Sequence, residues 1–142
     1  MNILFLCVGN SARSQIAEGL AREMLPNSFD IRSAGSSPAE KIHKDAISVM
    51  ADIGIDISDG KPKSIDSLDK EFMNDLNYVI TLCSEEVCPV IPDATMAFHW
   101  PNEDPDNDAL NDVQLKNAFV KTRENIFNLL KKFLISENIN NL

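Results

Sequence analysis

Cys7-Val8-Gly9-Asn10-Ser11-Ala12-Arg13-Ser14 is the stretch of this 142-residue chain whose residue types and spacing can do chemistry. Gly9 permits a tight turn, and successive backbone N–H groups in such a turn can point inward as an anion-binding nest. A helix that begins directly afterwards adds unsatisfied amides and the positive end of its dipole. Arg13 offers a planar bidentate fork for a tetrahedral oxyanion. Cys7 would sit in that electropositive field, where sulfur acts as a thiolate nucleophile. Ser14, one turn along the helix, can donate a hydrogen bond to it. Val8 to Ser14 are therefore the expected oxyanion-binding residues, with Cys7 and Arg13 as the expected catalytic pair.

Such a loop needs a strand before it and a helix after it, and the sequence supplies both. Asn2 to Leu6 is a compact apolar run closed by Cys7, which predicts a buried strand. From Ser14, apolar Ile16, Ala17, Leu20, Ala21, Met24 and Leu25 recur at helical spacing until Pro26. Phe29, Ile31 and the Ser33-Ala34-Gly35 turn form a second short strand. A second helix carries Ala46, Ile47, Met50, Ala51 and Ile53 and ends at Gly54. Ile65 to Leu76 predicts a third helix, Tyr78 to Leu82 a strand ending at Cys83, and Thr95 to Phe98 a strand ending at His99-Trp100. An acidic loop follows from Asn102 to Asp112, then a helix with Leu115, Ala118, Phe119, Thr122, Ile126, Leu129, Leu130 and Phe133 on one face. This alternation predicts one α/β domain over residues 1–142, a mainly parallel sheet with helices on both faces, and a frayed tail at 135–142. In such sheets ligands bind beyond the carboxyl ends of the strands, where Cys7, Cys83 and His99-Trp100 all fall.

Composition narrows the partners. Thirteen basic and 22 acidic residues give a formal net charge of -9, and no run of like charge exceeds two residues. A nucleic-acid or anionic-membrane partner is not expected from that balance. No apolar run approaches the length of a membrane span, so the expectation is a soluble, cytoplasmic monomer. Three cysteines, Cys7, Cys83 and Cys88, do not make a disulfide framework. Their scatter, with lone His43 and His99, offers no metal-ligand spacing either, and no metal is expected. His99 reads as a structural hydrogen-bonding residue, and Asn10 as a residue that shapes the loop.

From Cys7 to Arg13 the sequence resembles the Cys-x5-Arg loop of the low-molecular-weight protein tyrosine phosphatases and of the arsenate reductases that share their fold. The likeness continues through Gln15-Ile16-Ala17-Glu18-Gly19, Ser33-Ala34-Gly35, Gly54-Ile55-Asp56-Ile57-Ser58, Thr81-Leu82-Cys83, His99-Trp100-Pro101 and Asp104-Pro105. It covers about residues 2–134 in the family's order. It implies a three-layer sandwich with a four-stranded parallel sheet of order 2-1-3-4, as in the phosphotyrosine phosphatase I-like fold. It also implies that Asp104 is the general acid that protonates the departing oxygen.

Two activities fit that loop. A phosphatase hydrolyses a phosphate monoester through a Cys7 phosphocysteine and needs one cysteine. A reductase forms a sulfur–arsenic adduct, and further thiols then supply two electrons. The resemblance places Cys83 and Cys88 at the reductases' second and third redox cysteines. The phosphatases' tyrosines after Asp-Pro are missing, because Asp106, Asn107 and Asp108 follow Pro105 and the sole tyrosine is Tyr78. The expectation is therefore reduction of arsenate to arsenite, recycled by thioredoxin or by glutathione with glutaredoxin, with no bound cofactor. Phosphate monoester hydrolysis is the alternative.

The sequence departs from the family in two places. Only Ser84, Glu85, Glu86 and Val87 separate Cys83 from Cys88, a gap two residues shorter than in the thioredoxin-coupled members. Residues five apart on a helix have Cα atoms about 8.6 Å apart, and a disulfide tolerates about 7 Å. A Cys83–Cys88 bond is thus expected to require a looped or unwound segment, and the alternative is a Cys7–Cys83 bond opened by an external thiol. In addition, Asn10, Glu18 and Ser33 match three ligands of a potassium site found in some reductases. The fourth aligns with Lys63, whose ammonium could fill the cation's place, so no potassium requirement is expected.

Overall fold

The computed structural model describes residues 1–84 and 96–139. Four parallel strands form one sheet in the order β2-β1-β3-β4: β1 (Asn2–Cys7), β2 (Asp30–Gly35), β3 (Leu76–Thr81) and β4 (Met96–His99). The expected 2-1-3-4 topology is observed. The central strand β1 is buried from Ile3 to Cys7, because both faces of the sheet are covered and its alternating side chains enter two different cores. Ile3 and Phe5 join Ile80 and Tyr78 beneath the helices α1 (Arg13–Met24), α2 (Lys44–Ala51) and α4 (Asp112–Ser136). Leu4 and Leu6 join Ala34 and Val79 on the opposite face, against Phe72 of the short helix α3 (Lys70–Asn74) and against Leu76.

Local chemistry sets most of the helix boundaries. Asn111 and Gln114 form a reciprocal capping box that starts α4. Pro26 lies two residues beyond Met24, the last residue of α1, and Gly54, at φ 81°, closes the turn after α2. The expected single helix from Ile65 to Leu76 is instead a 3-10 turn, Ile65–Ser67, followed by α3. The break lies at Leu68 and Asp69, which are extended, and the Asp69 carboxylate accepts the Phe72 N–H at 2.7 Å and restarts the helix as its N-cap. Leu76 leaves the helix because it begins β3, in register with Asn2. The Ser33-Ala34-Gly35 segment forms the end of β2, paired with Phe5, Leu6 and Cys7, as expected. At the carboxyl end, α4 runs through Ser136, and the Tyr78 hydroxyl donates to Glu137 at 3.2 Å.

Strand order places Cys7 at the carboxyl end of the central strand. Among the described residues, no helix is long and apolar enough to cross a membrane.

Candidate active site

The loop between β1 and α1 turns its carbonyls outward. Val8, Gly9 and Ser11 C=O accept the backbone N–H groups of Ser37, Ala39 and His43 at 3.0, 2.9 and 2.9 Å. With those carbonyls paired on the outside, the loop amides can turn inward, as that of Asn10 does toward Cys7 Sγ. The segment after β2 can approach this closely because Gly35 has no side chain: a Cβ there would meet Val8 O at 2.3 Å. The first turn of α1 has no side-chain cap and no acidic residue, whereas α2, α3 and α4 have both. An uncapped helix start with the same sign of dipole suits an anion.

Asn10 holds the loop's shape. Its φ of 49° lies in the left-handed region that asparagine tolerates better than most residues. Its side chain is fully buried and bonded at both ends. Oδ1 accepts the Lys63 backbone N–H at 3.0 Å and Gln15 Nε2 at 3.2 Å. Because Oδ1 faces donors, Nδ2 must be the end that donates to Ser14 Oγ at 2.7 Å and to Ser33 Oγ at 3.0 Å. Ser33 then donates to Glu18 Oε1 at 2.9 Å.

This polarity reaches the nucleophile. Ser14 Oγ lies 2.8 Å from Cys7 Sγ and accepts from Asn10; toward a Cys7 thiolate, which can only accept, the Ser14 hydroxyl is the donor. The Asn10 backbone N–H adds a second bond to Sγ at 3.2 Å. Two donors aimed at one sulfur are what a thiolate nucleophile requires. Cys7 is a free thiol and buried.

Arg13 is buried and anchored, its Nη1 donating to the Asn102 carbonyl at 2.9 Å. Its Nη2 lies 3.9 Å from Asp104 Oδ2. A cavity of about 400 Å³ is lined by Cys7, Val8, Gly9, Ser11, Ala12, Arg13, Asp104 and Asp106. It brings the expected nucleophile, anion loop, arginine and acid together, with Asn10 and Ser14 buried behind it as positioning groups. Among the described residues, no aromatic side chain lines it. Tyr78, Phe98, Trp100 and Phe133 pack on one another in the core instead.

Cys83 stands beside this centre. The Leu82 N–H donates to Leu6 O at 2.9 Å, so Cys83 and Cys7 are the next residues along adjacent chain segments. Cys83 is buried and disulfide-bonded. Cys88 and the expected unwinding between it and Cys83 lie outside the described residues. His99 is a hydrogen-bonding residue, with Nδ1 2.7 Å from Thr81 Oγ1.

At the expected cation position, Glu18 is already paired: Oε2 accepts Arg22 Nε at 3.3 Å while Oε1 holds Ser33. Lys63 Nζ donates to the Lys61 carbonyl at 3.5 Å. Partial burial pushes the Lys63 ammonium below its ordinary pKa, and the Glu18 carboxylate acts in the opposite sense. Sequence reasoning missed the roles of Gln15, Asn102 and the Lys63 backbone. Two of these act through main-chain atoms, which carry no signal in residue type.

Comparison with known proteins agrees with this architecture. Residues 2–139 match the family described as low molecular weight phosphotyrosine protein phosphatase. An arsenate reductase of Halalkalibacterium halodurans is 36% identical over 133 residues, covering 92% of this chain and 93% of the relative. A solved structure described as an arsenate reductase in the phosphate binding state superposes with a TM-score of 0.78 at 27% identity, covering 95% of this chain and 97% of that one. The thioredoxin-dependent arsenate reductase of Corynebacterium glutamicum gives 0.68 at 32% identity, over 95% of this chain and 62% of that one.

Proposed function

The chain belongs to the low-molecular-weight phosphotyrosine protein phosphatase family, among relatives that are arsenate reductases, and from that premise we propose that it reduces arsenate to arsenite. The observation that carries the reading is the pairing of an oxyanion loop around Cys7 with a second buried cysteine, Cys83, on the adjacent segment. A phosphatase has no use for that second sulfur. The lack of an aromatic wall in the cavity also suits a small inorganic oxyanion better than a phosphotyrosyl ring.

In the proposed reaction, arsenate oxygens dock on the amides of Val8 to Arg13 and on the Arg13 guanidinium. The Cys7 thiolate attacks arsenic(V), and Asp104 protonates the departing hydroxide, which leaves as water. The Cys83 thiolate then attacks Cys7 Sγ. The sulfur–arsenic bond breaks with its electron pair going to arsenic, giving arsenite and a Cys7–Cys83 disulfide. Cys88 attacks Cys83 and expels the Cys7 thiolate. An external dithiol of the thioredoxin type then returns two electrons and opens the Cys83–Cys88 bond. A disulfide-bonded Cys83 beside a free Cys7 supports a cascade that ends with Cys7 regenerated.

Cysteine replacement tests this order. Cys7→Ser is expected to abolish arsenite formation. Cys83→Ser is expected to abolish multiple-turnover reduction with thioredoxin while any hydrolysis of a small aryl phosphate is retained. Unimpaired arsenate reduction by Cys83→Ser would overturn the cascade.

A further inference from the structure

The acid loop after β4 is packed at the buried Asn102 and Pro105, whereas the side chains of Asp104 and Asp106 are 46% and 52% exposed. The two carboxylates are therefore oriented by polar tethers. One is the Arg13 bond to the Asn102 carbonyl at the loop's start. The Asp106 backbone N–H provides the next, donating to Asp104 Oδ1 at 3.0 Å and leaving Oδ2 on the Arg13 side. What holds Asp106 itself is His43, whose Nε2 lies 3.4 Å from Asp106 Oδ1.

His43 is a rigid post. It is the N-cap of α2, and its Nδ1 accepts the Asp45 N–H at 3.1 Å. An accepting Nδ1 carries no proton in that state, so the ring proton of neutral His43 sits on Nε2, the atom beside Asp106. The ring lies against Phe119 of α4, with centroids 4.6 Å apart and planes tilted by 31°. Its backbone N–H donates to Ser11 O at 2.9 Å, on the outer side of the anion loop. His43 thus ties the Cys7 loop, α2, α4 and the acid loop together at one point.

We propose that His43 is a positioning residue which, through Asp106, holds the Asp104 carboxylate over the Cys7 cavity. This rests on the reading of Asp104 as general acid. His43 touches no reacting atom; it fixes where the acid stands when the hydroxide leaves. General acid catalysis contributes about 10²–10⁴-fold, and a loop held by fewer tethers spends less time in the productive geometry.

The test is His43→Asn. Asparagine keeps the helix cap and cannot span to Asp106 as the longer imidazole does. In a single turnover with reduced protein and arsenate, the maximal rate of arsenite formation is expected to fall roughly tenfold. The arsenate concentration at half-maximal rate is expected to stay within about twofold, since Arg13 and the loop amides are untouched. Asp106→Ala should lower the rate similarly, and the double variant should fall no further than the worse single one. The amide resonance of Asp106, assigned in the full-length protein, reports the bond to Asp104 without any turnover and is expected to shift in His43→Asn.

A wild-type rate together with an unmoved Asp106 amide in His43→Asn overturns the proposal. So does a double variant whose losses simply multiply. Asp104→Asn separates the two claims: a wild-type rate there removes the general acid, and the Asp106 amide alone then decides whether His43 positions the loop.

Discussion

The Ser14 hydroxyl stands 2.8 Å from Cys7 Sγ and accepts Asn10 Nδ2 at 2.7 Å, so that toward a Cys7 thiolate it is the donor. The orientation is inherited. The Lys63 N–H fixes which end of the Asn10 amide faces Ser14, and Ser33 Oγ accepts the other Nδ2 proton while donating its own to Glu18. One backbone amide on the far side of the loop therefore sets the donor at the nucleophile.

Ser14→Ala removes that donor and leaves the Asn10 N–H as the remaining bond to sulfur. A hydrogen bond to a charged group contributes about 1.5–3 kcal/mol, so where that bond stabilises the thiolate against its thiol, the first turnover is expected to slow about 10- to 100-fold. Rapid-quench measurement of the first turnover checks this. A rate within twofold of wild type would show that the Asn10 amide suffices.

Glu18 already holds Arg22 and Ser33 on its two oxygens, and Lys63 places a cation in the same neighbourhood. Replacing sodium by potassium at constant ionic strength is therefore expected to leave kcat/KM and Tm unchanged. A rise in either that is specific to potassium would contradict this arrangement of charges.

Asp69 gives the fold a defined acid sensitivity. Its carboxylate accepts the Phe72 N–H and pairs with Arg32, and these bonds hold it below the ordinary aspartate pKa. The unfolded chain, with its aspartate near about 3.9, takes up this proton before the folded one does. The stabilisation is thus present above about pH 4 and is lost as pH falls through the lower folded value. Asp69→Asn should lower Tm at pH 7, and the difference from wild type should shrink as pH falls below about 4. A difference that grows in acid would reverse the assignment.

Much of this site is legible from local pattern. An apolar run, a glycine turn and a helical repeat, in that order, predict the Cys7 loop, and the order of strands and helices predicts the sheet. The break at Asp69 is not legible, because a capping aspartate and a solvent-facing one look alike until the Phe72 N–H is seen to meet it. Ile65 to Leu76 is apolar at a spacing that serves a helix or the start of a strand, and only the pairing of Leu76 with Asn2 decides. The contact of His43 with Asp106 is invisible in sequence. Neither residue sits in a pattern that points to the other, and the fold alone brings the α2 cap to the acid loop.

In the proposed cascade, Cys7 and Cys83 together deliver two electrons to one arsenate. Fully reduced protein, mixed with arsenate and no other reductant, is scored for arsenite and free thiols at once, and the disulfide is mapped by peptide mass. The account predicts one arsenite per chain, two thiols lost, and a bond between Cys83 and Cys88 with Cys7 regenerated. No arsenite and three intact thiols, with hydrolysis of an aryl phosphate by the same sample, would contradict it and identify the loop as that of a phosphatase.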